Sequence, residues 1–242
     1  MKIIISPAKK MKRCEDILPP SSHPVFLDKT RVLLKEIQDL SYEELKSLLA
    51  CGDKIARESF DDFQSIELEK GTTPAIFAYD GIQYKYMAPQ VFERGFLDFA
   101  QKHLRILSGF YGLLSPFDGV VPYRLEMQAK LKPSLYEFWK DSLYNELTKD
   151  DNLIINLASE EYSKAISRYV TPSVSFVTVS FSEKVCNRLI EKGVYVKMAR
   201  GEMVRFMAEN DIATVEGLKD FKCLGYSFEP SLSEESKLVF VR

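Results

Sequence analysis

Two short apolar runs restrict this fold more than any other feature. Ile3-Ile4-Ile5 is closed by Ser6-Pro7, and Leu153–Leu157 is closed by Ala158-Ser159. Such runs are too short for helices and read as buried strands. Helical patterns stand between them. Asp28–Leu40 carries Val32, Leu33, Ile37 and Leu40 on one side, and Ser41-x-x-Glu44 is a capping box for a helix faced by Leu45, Leu48 and Leu49. "DKIARESF", Pro89–Ser108, "LYEFWKDSLYNELTK", "EEYSKAISRY", Cys186–Lys192, "RGEMVRFMAEN" and Thr214–Phe221 also read as helical. Ala75–Tyr79, Val174–Phe181, Val194–Met198 and Leu238–Val241 read as strands. Strands and helices interleave throughout, so the expectation is an α/β (mixed α+β) fold with a mixed central sheet and surrounding helices. No repeat, low-complexity tract or linker divides the chain, and residues 1–242 are read as a single domain.

Composition matters mainly for what it excludes. With 33 Lys+Arg against 35 Asp+Glu, the net charge of −2 gives no global pull toward nucleic acid or anionic membrane. A polyanion site must come from local clustering, such as Lys2, Lys9, Lys10, Lys12 and Arg13, all ahead of the first acid, Glu15. Ile3–Ile5 is far shorter than the roughly 7–15 apolar residues of a signal-peptide core. No segment approaches the ~18 apolar residues of a membrane span. A cytoplasmic protein without membrane contact is expected. Cys14, Cys51, Cys186 and Cys223 are scattered without a C-x-x-C, and only His23 and His103 are present, so no metal and no cofactor is expected.

Five segments are candidates for chemistry, and each also has a plain structural reading. The turn after Ile5 places Ser6 and Lys9 at a strand's carboxyl end, where α/β proteins bind ligands. It is equally a solvated strand end, since no glycine-rich phosphate loop is present. Gly109-Phe110-Tyr111-Gly112 follows a helical pattern and reads as a helix-hairpin-helix. Glycines in that motif let backbone amides approach a DNA phosphate, with His103, Arg105 and Arg124 adding charge. The alternative is a packing corner. Arg124 and Glu126 share one face of an extended segment, as a substrate clamp or as a structural ion pair. Asn156, Ser159, Tyr162 and Lys164 stand at a strand-to-helix turn, where Ser159 is an N-cap or the turn receives an anion. Lys197, Arg200 and Arg205 form the densest basic patch, or a solvated helix face.

Together, "ISPAK", "LRILSGFYGLLSPFD…PYRLEM", "LYEFW", "INLASEEYSKA" and "ARGEMVRF" stand in the order and spacing of the YaaA family of bacterial proteins. The chain resembles that family from residue 3 to about 240. The resemblance implies resistance to hydrogen peroxide, exerted by keeping free iron low and limiting damage to DNA and protein. It also implies a mixed α/β fold with a basic cleft, a helix-hairpin-helix-like element, and binding of double-stranded or branched DNA. By position, the cleft would draw on Lys9, Arg105, Arg124, Lys164, Lys197, Arg200 and Arg205, with Gly109–Gly112 as the hairpin. Two departures stand out. Ser115-Pro116 replaces the family's usual Arg-Pro, and Ser182–Gly193 follows no family pattern.

The leading expectation is therefore a cytoplasmic stress protein that binds DNA through its phosphates. The alternative is an enzyme acting on a nucleotide or other small phosphorylated ligand, through Ser6, Lys9, Arg124, Glu126, Asn156, Ser159 and Tyr162. Direct peroxide chemistry would rest on Cys14 alone, beside Lys12 and Arg13. The DNA and enzyme expectations both require Lys9, Arg124 and Arg200 to line one concavity.

Overall fold

The computed structural model describes residues 1–14, 16–186 and 188–242. The apolar runs become strands of an eight-stranded sheet: β1 (Lys2–Ile5), β2 (Leu104–Ser108), β3 (Gly112–Leu114), β4 (Leu153–Leu157), β5 (Ser175–Val185), β6 (Arg188–Ile190), β7 (Ser227–Phe228) and β8 (Lys237–Val241). Their order is β7-β8-β5-β4-β1-β2-β3, with β6 paired to β5. The five central strands, β8, β5, β4, β1 and β2, run parallel, while β7, β6 and β3 are antiparallel additions. The mixed α/β expectation is met. Ile3, Ile4 and Ile5 are all fully buried, as strands covered on both faces require.

The helices are α1 (Leu27–Gln38), α2 (Tyr42–Leu49), α3 (Asp53–Ser65), α4 (Ala75–Ala78), α5 (Ile82–Met87), α6 (Arg94–His103), α7 (Leu135–Trp139), α8 (Ser142–Leu147), α9 (Glu160–Ser167), α10 (Gly193–Glu209) and α11 (Val215–Leu218). The Ser41/Glu44 capping box forms as its sequence dictates, and Ser134 with Glu137 forms a second at α7. One apolar cluster runs from Ile3 to Phe240. Among the described residues no helix is long and apolar enough to cross a membrane.

Several local expectations need correction. Gly109–Gly112 is not the turn of a helix-hairpin-helix. It follows α6 as the turn of the β2–β3 hairpin, with Leu107 opposite Leu113. The cause is burial: Leu104, Ile106 and Leu107 are fully enclosed, and β1 supplies a parallel partner that overrides the helical spacing. Ala75–Ala78 is helical, and Val194–Met198 is the start of α10. Cys186–Lys192, expected as a helix, contains strand β6, and Asn187 within it lies outside the described residues.

Topology marks where an open α/β sheet tends to bind its ligand. The chain leaving β1 goes to β2 on one side, and the chain leaving β4 goes through α9 to β5 on the other. β1 and β4 are neighbours, with Ile5 opposite Leu157. Their outgoing connections diverge, which makes the space beyond their carboxyl ends the switch point of this sheet.

Candidate functional site

Ser6 and Ser159 are the first polar side chains beyond β1 and β4, and they meet across the switch point. The Ser159 amide donates to Ser6 Oγ at 2.8 Å, and the two hydroxyl oxygens are 3.1 Å apart. Asn156 turns its side chain back to accept from the Ala158 amide at 2.9 Å and to donate to Thr178 on β5 at 3.3 Å. That fixes the β4–α9 turn. Ser159 occupies the N-cap of α9 without capping it, because its side chain makes no cap hydrogen bond. Its hydroxyl faces Ser6 instead, so the side-chain capping expected of Ser159 is not made.

The "PYRLEM" segment lies against the same corner. Glu126 Oε1 receives Lys9 Nζ at 3.0 Å and Arg124 Nη2 at 3.1 Å. Arg124 Nε is shielded from solvent and has no acceptor. The side-on fork of its guanidinium is therefore half filled. Gly109 makes this arrangement sterically accessible: a Cβ there would stand 2.6 Å from the Leu125 carbonyl oxygen. The close approach seats the strap that carries Arg124 and Glu126. Gly112, at φ +75°, completes the hairpin turn against Trp139. Both glycines thus serve packing and positioning, and both face protein.

Sequence reasoning missed Tyr84 and Gln83 on α5. Tyr84 Oη donates to the Ser6 carbonyl at 3.0 Å. Beneath the site Tyr123 bonds Tyr79 at 2.9 Å and Ser108 at 2.6 Å. Burial pushes Tyr123 up to about 12, and pushes Tyr84 and Tyr162 up as well. All three are neutral phenols at pH 7. Six-residue α5 is too short for a periodic signal, and only "GIQYKYM" itself, dense in tyrosine, marks the place.

The other sequence candidates separate. Arg200 lies on α10 with its Nε shielded and unpartnered, and burial depresses its pKa against the opposing pull of Glu191. Lys197 is exposed on the same helix, and Lys164 is on α9, 6.0 Å from the centre of the Tyr136 ring. Arg105, near the start of β2, donates to the carbonyls of Gln101 and Leu104. Arg205 is held by Glu209 at 2.7 Å and lines a cavity of about 790 Å³ between α6 and α10, together with His103. His103 binds the Met1 carbonyl, so this cavity opens at the amino edge of the sheet. Lys9 and Arg124 converge; Arg105 and Arg205 stand at the opposite edge.

Chemically, the switch-point corner offers hydroxyls, two cations and one carboxylate. Neither serine has a base beside it, so neither is an activated nucleophile in this arrangement. Among the described residues no group of three or more His, Cys, Asp or Glu side chains is placed to hold a metal ion. Donors outnumber acceptors, which suits an anion.

Comparison with known proteins agrees with the sequence resemblance. A family model described as "Peroxide stress protein YaaA" matches residues 1–232. A "UPF0246 protein" of Desulfitobacterium hafniense is 56% identical over 246 aligned positions, covering 100% of this chain and 98% of the relative. One of Agathobacter rectalis is 52% identical, covering 100% and 99%, and one of Ligilactobacillus salivarius is 47% identical, covering 100% of both.

Proposed function

The chain belongs to the peroxide stress protein YaaA family, and from that premise we propose that its working centre is the switch-point crevice, which binds a small phosphorylated ligand. The carrying observation is the 2.8 Å bond from the Ser159 amide to Ser6 Oγ. It closes two motifs, far apart in sequence, over the one place where an open parallel sheet presents a crevice. Lys9 and Arg124 supply the charge, and Ser6, Ser159 and Tyr84 fix the corner. Glu126 is shared by the two cations and holds their geometry until an anion enters. Asn156 and Tyr162 support the turn and the strap from beneath. Glu126 is also the carboxylate available as a base if the ligand reacts there.

Titration of the full chain with inorganic phosphate and with nucleoside monophosphates tests this reading. Binding that weakens at least tenfold in both Arg124→Met and Lys9→Met supports it. Wild-type protein that binds neither phosphate nor any nucleotide sinks it.

A second reading rests on a separate observation. Lys10, Lys12 and Arg13 are exposed beside Lys9, and among the described residues none of the three has an ion-pair partner. This strip could carry double-stranded or branched DNA by its phosphates, and protection from iron-dependent damage would then come from covering the backbone. Each neutralised phosphate releases counterions, so affinity for duplex DNA must fall steeply between 50 and 200 mM salt. Reversal of the three charges must abolish it. An isotherm indifferent to salt removes this reading and leaves the first standing. Both readings take residues 1–242 as one cytoplasmic unit.

A further inference from the structure

We propose that the cavity between α6 and α10 is a binding site for a linear aliphatic polyamine, whose ammonium groups meet the carboxylates on its two walls and whose methylene chain lies over its phenylalanine floor. The site is separate from the switch-point crevice and does not depend on it.

The cavity has a volume of about 790 Å³, within the range of small-ligand pockets. Its floor is apolar. Phe96, Phe99 and Ala208 line it and are buried, and half-buried Phe92 stacks on Phe96. Its rim carries acids from both helices. Glu93 and Asp98 come from the α6 side, Glu209 and Asp211 from the end of α10, and all four are exposed. Arg205 is already tied to Glu209 at 2.7 Å. That leaves Glu93, Asp98 and Asp211 against Lys102, and among the described residues none of these has an ion-pair partner.

A solvated rim of acids would by itself select nothing. The deciding group is His103, which lines the cavity and is 6% exposed. Its Nδ1 lies 2.8 Å from the Met1 carbonyl oxygen. A carbonyl can only accept, so Nδ1 carries the proton and Nε2 is an acceptor. Among the described residues nothing bonds Nε2, and its lone pair is open to what the cavity holds. Burial lowers the pKa of the ring, and Lys102, the Met1 ammonium and Lys2 lower it further against the bond to Met1, so the lone pair stays available at pH 7. The last turns of α6 and α10 also end in this lining, and helix carboxyl ends attract cations.

The occupant follows from these groups. Unpaired acceptors ask for a cation that donates hydrogen bonds. Acids on two walls ask for more than one ammonium, since a single one satisfies one wall. α6 runs ten residues, about 15 Å, along the cavity, so the charges must be spread along a chain. Phenylalanine faces cover methylene groups and attract ammonium as well. A bare divalent cation is a poor match, because among the described residues no three acidic, histidine or cysteine side chains gather closely enough to hold one.

The test is calorimetric titration of the full chain with spermidine, spermine, butylamine and Mg²⁺. Spermidine and spermine are expected to bind one per chain, at least tenfold more tightly than butylamine or Mg²⁺. Asp98→Asn combined with Asp211→Asn is expected to weaken both polyamines at least tenfold. Glu36→Gln combined with Asp39→Asn removes two exposed acids from a different cavity and is expected to leave them unchanged. His103→Phe keeps an aromatic ring beside Phe99 without Nε2, and is expected to weaken spermidine at least threefold. Should His103→Phe fail to fold, the two surface double variants still decide the matter. Spermidine that binds no more tightly than butylamine overturns the inference. So do equal losses in the two double variants, a folded His103→Phe variant that binds as wild type does, or a cavity that takes only a lysine-rich amphipathic peptide.

Discussion

At the amino edge of the sheet, the Met1 ammonium and Lys2 share Asp151, Lys2 also donates to the Lys102 carbonyl, and Arg105 covers two carbonyls. At the carboxyl edge, Lys9 and Arg124 crowd a single carboxylate, and Arg200 has none within ion-pair distance among the described residues. The two edges are built from the same strands and differ in what remains unpaired. A fold selected only for stability has no reason to withdraw guanidinium nitrogens from water without acceptors. On the proposed reading, the unpaired donors, more than the sum of positive charge, mark the phosphate-binding edge; at the amino edge, among the described residues, the buried group without a partner is an acceptor, Gln101 Oε1. Arg105 and Arg205 belong to the amino edge although the family resemblance grouped them with Lys9.

The largest test of this contrast is Gly109→Ala. Its Cβ would overlap the Leu125 carbonyl, and backbone on both sides leaves little room to yield. A cost of about 3 kcal/mol is expected, near the upper end for overpacking. Phosphate binding should fall with it, because the strap carrying Arg124 and Glu126 must move. Urea denaturation and titration check both. A variant that loses stability and keeps full binding separates Gly109 from the site.

Asp151→Asn comes next. It strips two cations of their shared partner at a site where the carboxylate is only 21% exposed. About 2 kcal/mol should be lost, between the ranges for exposed and buried ion pairs. Ligand affinity should not change. Arg124→Met is the mirror case: stability should move by less than about 1 kcal/mol, since Glu126 keeps Lys9. Binding should drop at least tenfold. If the two variants exchanged these effects, the contrast between the edges would be lost.

How much of this was legible beforehand depends on whether the signal was local. Ile3–Ile5 and Leu153–Leu157 announced their strands because burial on both faces needs an unbroken apolar run. Ser6 and Ser159 could be flagged for the same reason, as the residues that end those runs. The enzyme expectation put them in one pocket, but their direct contact could not be read, since it depends on β4 returning beside β1 after a long excursion. Leu104–Ser108 misled because its apolar residues fit helical intervals and only a neighbouring strand decides between the two forms. Gln83 and Tyr84 were invisible because six residues carry no period. Arg200 was named for its charge, yet what sets it apart is the missing partner, a property of packing that no spacing records.

The smallest expected effect lies at the amino edge and concerns pH. His103 is 6% exposed, and its Nδ1 stands 2.8 Å from the Met1 carbonyl. Burial lowers its pKa, while the bond to Met1 raises it and Lys102, the Met1 ammonium and Lys2 lower it further. The unfolded chain therefore takes up a proton at higher pH than the folded one. Stability from this group is fully present above the ordinary histidine value and drains away as pH falls through the depressed folded value. Denaturant midpoints should accordingly decline from pH 7.5 to pH 5.5, and His103→Gln should show a shallower decline over the same window. Asp151 does not confuse the result: burial pushes its pKa up, but the Met1 ammonium and Lys2 carry it below the usual carboxylate value, so its own loss begins only in stronger acid. Identical slopes in wild type and His103→Gln would mean that the imidazole meets enough water to titrate freely, and that the amino edge is less closed than its ion pairs imply.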